Sequence, residues 1–261
     1  MSERAAVDQL ADRSLDALRA GSPTLLAEFV DEQLVFRSPG SGEIRGRDAV
    51  IAHLTGLLAE LPMSTSFEWS FTDGVSAAMW LWVHLPDPDG SDIGYEFPAL
   101  VLADRSGERW DRIQVFLNPV EAQYAVTDWQ EAGGTAELPA DPSLVATVPS
   151  HPVPPSPEPF DAIVEAVCDA LLTENWLDLI ETTGADWHDH GGFGIGRWAD
   201  GERRERWRAT AGSRAVMVIE HERDSVVAAL VAHVNDAGRV TYLDHVYDPA
   251  QLGDDEALPA G

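Results

Sequence analysis

Histidines and carboxylates crowd the second half of this chain. Five of its eight histidines lie between His188 and His245. Imidazole titrates near neutrality, so a histidine beside a carboxylate is a competent acid/base couple. On an extended strand His188 and His190 project to one face and Asp189 to the other. His221, His233 and His245 fall on three successive strand-like runs, where a matching register would bring them together. His188 ends its run beside a glycine turn at 191–196 suited to admitting a ligand, which makes it a candidate catalytic group. His190 and, in the last run, Tyr247 are candidate substrate contacts. The same residues allow an alternative use as a facial triad for iron or zinc, although the HExxH spacing is absent. The acid/base reading itself calls for no metal and no cofactor.

The first half offers a different surface. Trp80 and Trp82 alternate with Leu81 and Val83, giving one strand face a strongly aromatic character. A cavity bounded by that face would suit a planar hydrophobic ligand, with Trp82, His84, Tyr95 and Gln114 as candidate substrate contacts. Glu96, between Tyr95 and Phe97, is the carboxylate whose apolar neighbours would raise its pKa, as an acid catalyst needs. It is therefore a third catalytic candidate.

These residues must be positioned by a small set of elements. Apolar spacing predicts helices at 5–19, from Ser22-Pro23 to Phe29, and at 48–61, the last bounded by Pro62. Strand-like runs follow at 66–71, 77–85, 94–102 and 110–117, linked by turn signals such as Asp87-Pro88-Asp89-Gly90 and Arg105-Ser106-Gly107. The second half repeats the order, from a helix through Cys168-Asp169-Ala170-Leu171 to a short strand at Asp186-Trp187-His188-Asp189-His190. A helical segment is expected from Gly201-Glu202-Arg203, then strands at 215–222, 226–234 and 240–247. Arg109 stands ten residues before Pro119, and Arg239 ten before Pro249. The expected class is α+β with antiparallel sheets, in two domains, 1–120 and 158–250. Eight of the seventeen prolines lie between 139 and 159, so 121–157 reads as a semi-rigid linker and 251–261 as a flexible tail.

Composition excludes several functions. The formal net charge is -28, which repels a phosphate backbone or an anionic membrane. No lysine occurs anywhere, so Schiff-base chemistry and the P-loop lysine are out. The lone cysteine, Cys168, reads as a core thiol. The glycines at 191–196 are not followed directly by a helix, as a dinucleotide loop requires. No apolar run reaches the length of a membrane span and Met1-Ser2-Glu3-Arg4 does not begin a secretory signal, so a cytoplasmic location is expected.

The order of elements, with Phe36-Arg37-Ser38-Pro39, the turn into Gly46-Arg47-Asp48-Ala49-Val50 and the closing run from Arg112 to Pro119, resembles the SnoaL-like polyketide cyclases of the nuclear transport factor 2 and ketosteroid isomerase superfamily. The resemblance spans about residues 5–119. A weaker, degenerate copy spans about 160–249, some 25 residues shorter between its helix glycine and final proline. It implies tandem cone-shaped domains, the first enclosing a pocket for a hydrophobic, oxygenated metabolite and the second, one strand short, a degenerate partner packed against it, as an intramolecular pseudo-dimer or further as a homodimer. By resemblance, Asp244 in the closing strand takes the functional carboxylate position opposite His188. The implied activity is that of a cofactor-independent cyclase, isomerase or dehydratase. A non-catalytic ligand-binding or scaffold protein is the alternative, and epoxide opening a further one.

Overall fold

The computed structural model describes residues 9–11, 13, 14, 23–72, 75–90, 95–137, 158–173, 176, 178, 181, 184–189, 202–211, 214–221, 226–235, 237 and 239–247. The chain divides into two units, residues 1–152 and 153–261.

In the first unit a short helix α1 (Pro23–Leu26) leads into strands β1 (Val30–Ser38) and β2 (Gly42–Arg45) and then helix α2 (Arg47–Glu60). Four strands follow, β3 (Ser64–Thr72), β4 (Ser76–Leu85), β5 (Tyr95–Ser106) and β6 (Arg109–Phe116), and helix α3 (Pro119–Glu131) ends the unit's described elements. The strands form one sheet in the order β2-β1-β6-β5-β4-β3. The expectation of a wholly antiparallel sheet does not hold. β1 runs parallel to β6, with Phe36 opposite Ile113, so the sheet is mixed. No hairpin joins these two strands; α2 and four strands intervene, and a connection that long leaves the relative direction free.

Local chemistry sets the element ends. Pro62 forces Leu61 out of the helical region, to φ -128 and ψ 107, and so stops α2. Along α2, Val50, Ile51, Leu54 and Leu57 recur at helical spacing on the face toward the sheet. At the β5–β6 hairpin Gly107 takes φ 67, a left-handed conformation that other residues adopt at a cost. The first core is tied to residues 10–14 by a relay of hydrogen bonds. Trp110 Nε1–H donates to Ser14 Oγ at 2.8 Å, and the Ser14 hydroxyl donates to the Leu10 carbonyl at 2.8 Å.

Residues 119–131 are helix rather than the start of the linker expected from 121. Asn118 caps α3, its side-chain oxygen accepting from the Val120 N–H at 3.0 Å, and Pro119 occupies the first turn. Near its end Trp129 is buried, and its indole N–H donates to the Pro86 carbonyl at 2.7 Å. Gly134 lies against that indole so closely that an added Cβ would sit 2.2 Å from Trp129 Cε2.

The second unit begins with helix α4 (Glu158–Thr173), followed by β7 (Asp186–Asp189), β8 (Arg203–Ala211), β9 (Arg214–His221), β10 (Val226–Val234) and β11 (Val240–Tyr247). Its sheet order is β7-β11-β10-β9-β8, with β7 parallel to β11 and the other pairs antiparallel. The helix expected after Gly201 is the strand β8, a full partner of β9. Its sequence, Arg203-Arg204-Glu205-Arg206-Trp207-Arg208, offers no apolar stripe at helical spacing and gains a ladder of backbone bonds as a strand. On α4, Val164, Val167, Cys168 and Leu171 pack onto Ala215, Met217, Ile219, Leu230 and Leu243. Arg208 of β8 ties the same helix, with Nη1 2.5 Å from Glu165 Oε2 and Nη2 2.9 Å from Asp169 Oδ1. Burial alone would lower the Arg208 pKa, but its bonds to Asp169, Glu165 and Glu205 outweigh that and raise it. Cys168 is fully buried, and burial pushes its thiol up to about 12.

Two glycines give opposite expectations. Gly134→Ala should cost about 1–3 kcal/mol by overpacking against Trp129. Gly56→Ala, in the exposed middle of α2 with nothing within 4 Å of the new methyl, should add about 0.5–1 kcal/mol. Urea unfolding of both variants checks the pair.

Candidate functional site

Between the concave face of the first sheet and helices α2 and α3 lies a cavity of about 460 Å³. A strand's side chains alternate, so one set of residues on each strand faces inward. These are Val30, Leu34, Phe36 and Ser38 on β1, Met79, Leu81 and Val83 on β4, Phe97, Ala99, Val101 and Ala103 on β5, and Trp110, Ile113 and Val115 on β6. Helix α2 adds Val50, Ile51, Leu54 and Leu57, and α3 adds Ala122, Gln123 and Val126. The polar side chains in the wall are Ser14, Ser38, Ser41, Thr65 and Gln123, all uncharged. Among the described residues no Asp, Glu, Arg or His lines the cavity. Ser41 links the wall to a titratable group, its Oγ lying 3.1 Å from His53 Nε2.

The residues expected to line this cavity do not. Trp82 and His84 alternate with Leu81 and Val83 and therefore occupy the convex face, as do Glu96 and Gln114 on β5 and β6. Tyr95 shares the parity of Phe97 but stands at the strand end, outside the lining. Burial and the Asp89, Asp87 and Asp128 carboxylates push its phenol pKa up. Glu96 is not enclosed by Tyr95 and Phe97, which point to the opposite side; its side chain is 43% exposed.

On the convex face the sheet assembles a polar constellation that sequence spacing did not disclose. His84 pairs across the strands with Glu96, and its Nδ1 lies 2.9 Å from Glu96 Oε2. Its Nε2 lies 2.6 Å from Ser66 Oγ on β3. Burial lowers the His84 pKa, against the opposing pull of the Glu96 charge. The imidazole is thus neutral near pH 7. An ionised carboxylate accepts only, so the ring proton belongs on Nδ1, leaving the Nε2 lone pair to accept from the Ser66 hydroxyl.

In the second unit, backbone register sets His188 of β7 opposite Asp244 of β11. The side chain of His188, and the whole of His190 and of the glycine turn at 191–196, lie outside the described residues. Asp244 is buried, and its backbone pairs with Val231 on β10. Tyr247, with Leu243, belongs to the core against α4, whereas Asp244 alternates to the other face, so Asp244 and Tyr247 do not share a site. His245 also faces that core, its ring edge-on to Trp176 at 5.5 Å. The three strand histidines do not converge. His233 takes the face of Asp244, and His221 lies four residues along β9 from Met217, which is level with His245 through Leu230. Burial lowers the His233 pKa, Arg214 adds to the effect, and Asp244 opposes it.

Residues 11–113 match the SnoaL-like domain family. The first unit thus contains a SnoaL-like domain of the NTF2-like α+β fold, with a curved mixed sheet and few helices. A comparison with curated proteins finds no match. Among solved structures, the chain is similar to an LEH-like epoxide hydrolase of M. tuberculosis, with 15% identity, a TM-score of 0.43, and 57% of this chain and 99% of that one covered. It is similar to a structure named as a polyketide cyclase from Xanthomonas campestris pv. campestris, at 17% identity and a TM-score of 0.41, covering 48% of this chain and 99% of that one. A structure named as a SnoaL-like polyketide cyclase from Jannaschia sp. CCS1 follows at 13% identity and 0.42, with 49% and 95% covered. No helix among the described residues is long and apolar enough to cross a membrane.

His84 and His233 are both lowered from 6.5, so each binds fewer protons folded than unfolded. Their contribution to stability is complete above pH 6.5 and is lost as pH falls through 6.5 toward the lowered folded values. The melting temperature should decline more steeply below pH 6.5 in the parent than in a His84→Gln, His233→Gln double variant. Thermal unfolding from pH 7.5 to 5 measures the difference.

Proposed function

We propose that the first unit binds a small, uncharged, hydrophobic molecule bearing one or more oxygen substituents, and that the cavity itself carries out no acid/base chemistry. The observation that carries this reading is the wall: aliphatic and aromatic side chains broken only by neutral hydroxyls and one amide. A volume of about 460 Å³ falls within the range of about 300–1,000 Å³ that takes small-molecule ligands. A charged ligand would enter such a site without a counter-ion, at a prohibitive desolvation cost. Neutral oxygen substituents fit better, since Ser38, Ser41 and Gln123 can exchange hydrogen bonds with a hydroxyl or carbonyl. The Ser14 hydroxyl is less able to help, because it already accepts from Trp110 and donates to Leu10.

The rival reading, a cyclase, isomerase or dehydratase, needs a base beside the acidic proton and a donor for the developing oxyanion. Epoxide opening needs carboxylates and an arginine. Neither set stands in the cavity wall among the described residues, which supports binding over turnover at this place. For the second unit, His188 and Asp244 remain our candidate couple on the strength of backbone register alone.

Titration with an uncharged hydrophobic fluorophore such as Nile red tests the reading. One saturable site is expected. Ala99→Phe, which fills the buried inner face of β5, should weaken binding at least about tenfold, roughly 1.4 kcal/mol. Non-saturable binding, or unchanged affinity in Ala99→Phe, would overturn it.

A further inference from the structure

We propose that Ser66, His84 and Glu96 form a nucleophilic triad on the convex face of the first sheet, able to transfer an acyl group from a small carboxylic ester to Ser66. Three observations carry it. The Ser66 hydroxyl is within 2.6 Å of His84 Nε2, the distance at which a base can take its proton. Glu96 holds the other ring nitrogen at 2.9 Å, fixing the tautomer that leaves Nε2 free to accept. All three groups belong to strands β3, β4 and β5, which hold them rigidly, and Ser66 and Glu96 are only partly buried or exposed. This site lies on the opposite side of the sheet from the ligand cavity and does not depend on it.

The surroundings suit the reaction. Trp82, the direct cross-strand partner of Ser66, is half-buried on the same face and offers an apolar surface for the acyl or alcohol part of the ester. β3 is the outermost strand of its sheet among the described strands, so alternate backbone N–H groups beside Ser66 face away from the ladder. A register irregularity falls between Phe67 and Trp69, two residues on from the serine. Bulges of this kind re-aim backbone groups beside active sites. Outward N–H groups there can stabilise the oxyanion of the tetrahedral intermediate.

Ser66 Oγ bonds to the ester carbonyl carbon while its proton passes to His84 Nε2. The carbon–oxygen bond to the alcohol then breaks, and the departing oxygen takes that proton. Water repeats the sequence on the acyl-serine, releasing a carboxylic acid and restoring the hydroxyl. Ser66 and His84 are the catalytic residues; Glu96 is a positioning residue.

The test treats the full chain with a fluorophosphonate and maps the adduct by peptide mass spectrometry, a measurement on the wild-type protein that needs no variant. One adduct on Ser66 is expected. p-Nitrophenyl acetate should be hydrolysed with a labelling-sensitive rate that rises with pH through the lowered His84 pKa and levels off near neutrality. Ser66→Ala and His84→Gln should each reduce hydrolysis by about a thousandfold, whereas Ser106→Ala, at the exposed end of β5, should leave it unchanged. Glu96→Gln should lower the plateau and move the half-rise to lower pH, because the imidazolium loses its counter-charge; a purely structural role would move neither. An unlabelled wild-type protein, an adduct confined to another residue, or undiminished hydrolysis in a folded Ser66→Ala variant would overturn the proposal.

Discussion

Side chains on a strand alternate, and that period of two governs what each side of the first sheet can do. On β4 it sends Met79, Leu81 and Val83 to the concave face and Trp80, Trp82 and His84 to the convex one. On β5 it separates Phe97, Ala99 and Val101 from Glu96. Neither His84 nor Glu96 can reach the cavity without a slip of one residue, and a slip would turn the whole apolar set outward. The hydrophobic wall and the polar triad are therefore two results of a single register.

Energetics reinforce the separation. A carboxylate or guanidinium in the cone would stand in a low-dielectric space without a partner, which folding does not tolerate cheaply. At Arg208 a partly buried charge is surrounded by acceptors. Arg208 meets Glu165, Asp169 and Glu205 while tying β8 to α4, and its three acceptors satisfy most of the guanidinium fork. His84 is kept neutral by burial and hydrogen-bonded at both nitrogens.

Much of this was legible in the sequence, for stated reasons. Helix α2 was visible because its apolar residues recur at helical spacing and Pro62 stops it, and the four strands β3 to β6 because β-rich runs alternate with turn signals. The parallel pairing of β1 with β6 was not, since pairing between distant strands leaves no local mark. Helix α3 was passed over as the start of the linker, although Asn118-Pro119 is a helix start that could have revealed it. β8 was misread because its arginines and glutamates satisfy a helical surface as readily as a strand. At the site, His84 was expected as a substrate contact and Glu96 separately as a catalytic acid, both on the cavity face. Their pairing was not foreseen and the face was wrong, because a strand's parity is fixed only when its partner packs. Ser66 carried no signal at all: a serine in a strand becomes notable only once the cross-strand neighbour is a histidine.

The parallel pairing of β1 with β6 has a consequence for how the chain must come together. Val30 meets Trp110 and Phe36 meets Ile113, so the strand made first finds its central partner only after some eighty residues have followed it. Loop-closure entropy and high contact order delay such a contact. During synthesis, the apolar run of β4 emerges well before β6 can seat against β1 and complete the curved sheet. The same geometry recurs where β7 waits for β11. Each unit is therefore exposed to mispairing and aggregation for as long as its last strand is missing, and a chain cut before β6 or β11 would leave β1 or β7 without its parallel partner.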